Sequence, residues 1–279
     1  MKSGVPIHFT LWAISIATSA WAIEEEKSFF FEGHERSALL CSDKPPAGGG
    51  APLILVFHGY SGNSRSVQKG FRIERLWPEA LVAYVQGLVI PERDDGRIKP
   101  GRERPGWQRK PGMDDDRDLK FIDYLIEQLA AEYKIDRERV FATGFSNGAV
   151  FTWVLLAERP NTFAAFAPIA GIDNGVLVPA QVPKPVIYHM ATNDSAFKFA
   201  WAQKTIRRMK KLNRVNEEGQ RWVRNTSLSL EYTLFTSDQG GAPFVLELNQ
   251  RGHMIPPYAP GNIVTFFKSE SPTTPSALP

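Results

Sequence analysis

The apolar residues of this chain fall into short unbroken runs, separated by longer stretches in which they recur every three or four positions. An unbroken run such as Pro52-Leu53-Ile54-Leu55-Val56-Phe57 has no polar face, which predicts a strand buried on both sides within a parallel sheet. Leu81-Val82-Ala83-Tyr84-Val85 and the segments 140–143, 166–171 and 185–189 predict further strands. Between 118 and 134, Leu119, Ile122, Leu125, Ile126, Leu129, Ala130 and Tyr133 share one helical face. A second amphipathic helix is expected over 196–212, and a short closing helix over 263–268. Phe29-Phe30-Phe31 and Ser37-Ala38-Leu39-Leu40 read as early antiparallel strands, before a turn at Pro45-Pro46 and Gly48-Gly49-Gly50. One more strand is expected around 228–235. Strands alternating with helices, without an internal repeat, define an α/β fold class: a mostly parallel sheet with helices on both faces, a three-layer sandwich. A single catalytic domain over 23–268 accommodates it. The stretch 91–118 carries many glycines and prolines and reads as a long polar loop, of the kind that lines a cleft.

The ends read differently. Met1-Lys2, an apolar stretch over 7–20 and the small residues of Ala20-Trp21-Ala22 predict a secretory signal peptide over 1–22, and hence a secreted or periplasmic protein. The tail 269–279, rich in Ser, Thr and Pro, is expected to fray. No later stretch is apolar enough to predict membrane insertion after signal cleavage. The formal charge of +3, which becomes +2 without Lys2, gives no reason to expect nucleic acid as a partner. The basic clusters at 102–110 and 207–211 read as solvated surface, and oligomerisation is left open. Cys41 is the one cysteine, so an intrachain disulfide is excluded and the thiol reads as a small buried hydrophobe.

The chemistry centres on Gly144-Phe145-Ser146-Asn147-Gly148, which lies between a strand run and a helix run. This is the G-x-S-x-G nucleophile elbow, in which flanking glycines let strand and helix pass closely while the serine is lifted clear of the sheet. A serine at its free pKa is inert, so it needs a base and an orienting carboxylate. Of five histidines, His253 in the loop Gly252-His253-Met254-Ile255-Pro256 is best placed to fold back over the strand ends; His34 lies ahead of the expected sheet. Asp194 is the leading carboxylate, with capping of the following helix as its alternative role and Asp173 and Asp238 as rivals. The N–H of Asn147 and the N–H of Tyr60, in the turn His58-Gly59-Tyr60, are the expected oxyanion donors. His58 is expected to hold the shape of that turn. No cofactor or metal is called for.

Several segments together resemble secreted esterases of the polyhydroxybutyrate depolymerase and feruloyl esterase type. They are Val56-Phe57-His58-Gly59-Tyr60, Tyr84-Val85-Gln86-Gly87-Leu88, Trp107 ahead of Asp114-Asp115-Asp116, the run 139–149 through the elbow, 166–171 and Gly252-His253-Met254-Ile255-Pro256. The resemblance implies the α/β-hydrolase fold, Ser146 as nucleophile, Asp194 as acid, His253 as base and the His58-Gly59-Tyr60 turn as the oxyanion side. Two positions depart from the pattern: Met190 replaces the usual glycine ahead of the acid, and Met254-Ile255 makes an aliphatic wall. The paired cysteines of many members are also missing.

The expected substrate pocket comprises His58, Gly59, Trp107 and Met254, with Tyr60, Trp153 and Tyr188 as other aromatics near the cleft; Trp153 reads mainly as core. The chain therefore reads as a serine esterase acting on a small-molecule or oligomeric ester, such as hydroxyalkanoate oligomers or feruloyl esters. A peptidase using Asp114–Asp116 to bind an amine remains open, as does a carbohydrate- or lipid-binding protein with an inactive triad.

Overall fold

The computed structural model of the chain describes residues 22–44, 50–94, 97–221 and 232–270. The expected leader therefore lies, apart from Ala22, outside the described residues; so do the Pro45-Pro46 turn, residues 228–231 and most of the tail.

A ten-stranded sheet organises the described residues, in the order β1-β2-β4-β3-β7-β8-β9-β12-β11-β10. In chain order its strands are β1 (Ile23–Phe31), β2 (His34–Ser42), β3 (Ala51–Phe57), β4 (Leu81–Val85), β7 (Ile135–Phe145), β8 (Ala165–Ile169), β9 (Val186–Ala191), β10 (Gln220–Arg221), β11 (Tyr232–Phe235) and β12 (Phe244–Asn249). The six central strands from β4 to β12 are parallel to one another, and both margins are antiparallel. The early antiparallel pair and the expected parallel core are both present.

The period-two alternation of a strand divides the core. In β3, Leu53, Leu55 and Phe57 face the layer that holds α3 (Arg117–Glu132), α4 (Asn147–Glu158) and α5 (Phe199–Leu212). Ile54 and Val56 face the other side and meet α1 (Ser64–Phe71), α2 (Ile73–Leu76) and α6 (Ala259–Ser269). Every residue of β3 is buried, which is why its sequence shows no polar alternation. Cys41 is buried in the second of these layers, and burial pushes its thiol up to about 12.

The chain departs from its sequence reading in four places. The stretch 91–118 is no open loop: β5 (Val89–Asp94) and β6 (Arg97–Pro105) form an antiparallel hairpin, followed by a short 3-10 helix at Met113–Asp116. The hairpin is nearly all polar, so hydrophobic periodicity could not reveal it. Strand β12 was not expected, because Glu247 interrupts its short apolar run; Glu247 is nonetheless fully buried beside His189. α1 escaped because only Val67 and Phe71 anchor its otherwise polar sequence. His34, placed ahead of the sheet by its sequence, opens β2.

The segment after β6 is fixed by a buried ion pair. Arg36 Nη2 donates to Asp118 Oδ1 at 3.0 Å, and the Gln108 N–H donates to Asp118 Oδ2 at 2.8 Å. Gln108 Oε1 in turn accepts the N–H groups of Asp118 and Leu119, satisfying the open first turn of α3. Because β4 and β7 lie on opposite sides of β3, the chain reverses direction across the sheet there. Such a reversal opens a crevice at the carboxyl ends of the strands.

Candidate active site

The sharpest local feature stands at that crevice. Ser146, immediately after β7, has φ 55° and ψ −117°, a strained backbone for a residue with a Cβ. Its N–H donates to Ile169 O and its carbonyl accepts from Val150 N–H, both at 3.0 Å, so strand and helix hold it from two sides. A Cβ on Gly148 would lie 2.2 Å from Phe57 O, and one on Gly144 would lie 2.6 Å from Gly148 backbone atoms. The two elbow glycines thus answer to close backbone approach.

The structure brings Ser146, His253 and Asp194 together. His253 Nε2 lies 2.8 Å from Ser146 Oγ, and His253 Nδ1 lies 2.8 Å from Asp194 Oδ2. The imidazole sits between Phe145 and Phe197, with ring centroids 4.9 and 5.8 Å away. Asp194 meets the imidazole with one oxygen and closes a turn with the other, but it does not cap α5, whose N-cap position is Lys198. Oδ2 meets the imidazole, while Oδ1 accepts Ala196 N–H at 2.7 Å and Phe197 N–H at 2.8 Å, closing the turn that leads to α5. Asp173 and Asp238 are engaged elsewhere, with Arg208 and Asn216 respectively.

Asn193 is a functional neighbour that sequence reading left without a role. Its Oδ1 accepts Gly252 N–H at 2.9 Å and its Nδ2 donates to Gln250 O at 3.1 Å, so it pins the His253 loop beside Asp194. Its position next to the carboxylate was the only available signal.

On the other side of Ser146, a Cβ on Gly59 would lie 3.2 Å from Ser146 Cβ, so the turn after β3 abuts the serine. The Asn147 side chain exchanges two hydrogen bonds with the Trp107 backbone, at 2.8 and 3.1 Å. This holds the first turn of α4, where the Asn147 N–H is at the positive end of the helix. Tyr60 is partly exposed within the same turn, and Met254 is exposed on the His253 loop.

Three pocket expectations are corrected. Trp107 is fully buried: its ring stacks on Phe151 at 5.3 Å and its Nε1 donates to His58 O at 2.9 Å, so it supports the turn from beneath and forms no substrate wall. His58 is buried as well. Its Nδ1 meets Gly59 O at 2.7 Å and its Nε2 accepts Gly87 N–H at 3.0 Å, a loop-shaping role, so it does not line the pocket. Trp153 is core as expected, and Tyr188 is also fully enclosed rather than near an open cleft. Met190, which departs from the expected glycine, is buried within β9.

The His58 pairing fixes a tautomer, with the proton on Nδ1 and Nε2 free to accept. Burial holds its pKa below the ordinary imidazole value of 6.5, opposed by the bond to Gly59. A base depressed in the folded state loses stability as pH falls below its unfolded pKa. The wild-type thermal midpoint is therefore expected to drop more steeply from about pH 7 to about pH 5 than that of His58→Asn, whose amide does not titrate. Parallel slopes would remove His58 as the source.

Comparison with known proteins places the chain among others of this fold. The chain is 30% identical over 151 residues to a bifunctional acetylxylan esterase/xylanase of Neocallimastix patriciarum, covering 53% of this chain and 20% of that protein. It is 30% identical over 119 residues to a probable feruloyl esterase C of Aspergillus clavatus, covering 43% and 39% of the two chains. The chain thus spans well under half the length of these relatives. Among solved structures, an acetyl xylan esterase from Aspergillus awamori superposes with a TM-score of 0.64 at 13% identity, over 88% of this chain and 99% of that one. A Bacillus cereus carboxylesterase gives 0.56 at 20% identity, over 84% and 94%. Both share the α/β-hydrolase fold. The dienelactone hydrolase family model matches residues 46–217, a span that holds the serine elbow and Asp194, and the chain belongs to that family.

Proposed function

We propose that the protein is a secreted or periplasmic carboxylic-ester hydrolase that works through an acyl-enzyme on Ser146. The carrying observation is the unbroken relay from Ser146 Oγ through His253 to Asp194, with both links at 2.8 Å, beside a strained elbow. In the proposed mechanism His253 Nε2 takes the serine proton as Oγ attacks the ester carbonyl, and Asp194 Oδ2 holds the proton on Nδ1. The N–H groups of Asn147 and Tyr60 stabilise the oxyanion, and Gly59 leaves room for it next to Ser146. Collapse expels the alcohol, protonated by His253. Water then attacks the acyl-enzyme with His253 again as base, releasing the acid and restoring the serine hydroxyl. Met254, exposed on the His253 loop, lines the acyl entrance.

The relatives named for feruloyl and acetylxylan esters favour esters carried on sugars, which puts hydroxyalkanoate oligomers second. The peptidase alternative is weakened because two of the acids it relies on are already used. Asp115 pairs with Lys120, and Asp116 accepts from Gln108 and from the Gly112 N–H.

A fluorophosphonate probe tests the serine mechanism, and methyl ferulate and acetylated xylan test the reaction. The expected result is hydrolysis of at least one ester, together with one phosphonyl adduct on the peptide containing Ser146. A folded protein that hydrolyses neither ester and takes up no probe would sink the reading in favour of a binding protein. N-terminal sequencing of exported material, expected to begin near residue 23, tests the leader.

A further inference from the structure

Trp201, Lys204, Arg208 and Lys211 recur at intervals of three, four and three residues along α5, which places them on one face of the helix. Against this face runs the segment that leaves β8, beginning at Ile172. Two adjoining cavities lie between them. One, of about 330 Å³, is lined by Ile172, Asp173 and Asn174 on one side and by Trp201, Lys204 and Arg208 on the other. The next, of about 350 Å³, shares Arg208 and continues past Lys211 to Arg214. Over Trp201 to Lys211 the trough follows the helix for about 15 Å at 1.5 Å per residue.

The charge in this trough is unbalanced. Asp173 is the one carboxylate lining it, and Asp173 is consumed by Arg208 at 3.0 Å, by Thr205 Oγ1 at 2.7 Å and by the Gly175 N–H. Lys204, Lys211 and Arg214 are exposed and take no carboxylate partner among the described residues. Trp201 is 42% exposed, an unusual state for so large an apolar ring, and Lys198 Nζ stands 5.6 Å from its centre. A cleft lined by one sign of charge concentrates ligands of the other.

Both flanks of the trough continue from segments that hold the triad. Its β8 flank starts after Ile169, whose carbonyl holds the Ser146 N–H, and a Cβ on Gly171 would lie 2.7 Å from Ser146 O. Its helical flank follows directly from the Asp194 turn.

We propose that this trough is a subsite for an acidic polysaccharide, a chain of uronate-bearing sugars whose ester substituent reaches Ser146. This rests on the ester-hydrolase reading above. One sugar ring stacks its C–H face on Trp201, and carboxylates further along the chain meet Lys204, Lys211 and Arg214. Nucleic acid would satisfy the cations equally well. It carries no carboxylic ester, however, whereas the trough leads away from an ester-cleaving serine.

The test compares wild type, the double variant Lys204→Ala/Lys211→Ala and Trp201→Ala on acetylated polygalacturonate, acetylated neutral xylan and p-nitrophenyl acetate. In the double variant the ratio of kcat/KM on the acidic polymer to that on the neutral one is expected to fall about tenfold, through KM. Raising salt from about 20 to about 200 mM is expected to erode the wild-type preference and to leave the double variant indifferent. Trp201→Ala is expected to raise KM on both polymers relative to the small ester. An acidic-to-neutral ratio unmoved by substitution and by salt, with p-nitrophenyl acetate still cleaved, overturns the subsite alone. Loss of that small-ester activity in the wild type overturns the hydrolase reading instead. Retardation by duplex DNA that matches retardation by polygalacturonate, without competition against ester cleavage, assigns the trough to nucleic acid and overturns the proposal.

Discussion

Ser146→Ala is expected to fold normally and to hydrolyse p-nitrophenyl acetate roughly five to six orders of magnitude more slowly than wild type, because the proposed triad acts as a unit. The loss should appear in kcat, since the substitution removes the attacking atom and leaves the cleft in place. Its stability effect should be small: Oγ makes its contact with His253, and alanine keeps the same backbone at φ 55°. Ser146→Gly gives the complementary measurement. A residue with a Cβ held in this region costs about 1–3 kcal/mol, and glycine is free of that cost while paying some unfolded-state entropy. Ser146→Gly is therefore expected to be more stable than Ser146→Ala by roughly 1 kcal/mol and equally inactive. Chemical denaturation of the two variants, alongside stopped assays at high enzyme concentration, checks both halves. Residual activity in Ser146→Ala within about a hundredfold of wild type would mean that another group performs the attack.

The elbow was legible because it is local. Five consecutive residues, an apolar strand before them and an apolar helix after them encode a turn that hardly depends on distant contacts. His253 and Asp194 required a different kind of inference, from loop position and chain order, and the fold brings both to the strand ends. Two pocket assignments failed, although the turn-shaping role also expected of His58 is the one its hydrogen bonds show. A tryptophan beside an expected cleft reads the same in sequence whether its ring faces ligand or backbone. Here the Trp107 indole and the His58 imidazole are spent on the turn that carries Gly59 and Tyr60, through His58 O and Gly87 N–H. The β5–β6 hairpin was hidden because its pairing is held by backbone bonds beneath a polar sequence. Glu247 concealed β12 because a carboxylate at an apolar position ordinarily marks the end of a run, whereas Tyr258 and Asn249 satisfy this one in place. The basic residues of α5 read in sequence as solvated surface, and only the opposing 172–181 segment makes a groove beside them.

Two glycine-to-alanine changes near helix starts are expected to move stability in opposite directions. Alanine is ordinarily the better helix residue by about 1 kcal/mol. At Gly261, in the first turn of α6, an added Cβ meets nothing within 4 Å, so Gly261→Ala is expected to stabilise by about 0.5–1 kcal/mol. At Gly148, in the first turn of α4, the same methyl would lie 2.2 Å from Phe57 O, 2.6 Å from Phe57 C and 2.7 Å from His58 O. All three are main-chain atoms at the end of β3, so no rotamer change can make room. Either α4 moves off the sheet or the turn carrying His58 and Gly59 moves away from Ser146. The first route gives up packing of Phe151 against Phe57 and Trp107, and the second opens the proposed oxyanion side. Gly148→Ala is therefore expected to lose about 3 kcal/mol or more, at the upper end of overpacking costs, and any folded fraction should lose kcat more than affinity. Urea midpoints for the two variants and wild type, with p-nitrophenyl acetate kinetics on the soluble material, make the comparison. Equal stability of Gly148→Ala and wild type would show that strand and helix approach less closely than the contact of Gly148 with Phe57 O requires.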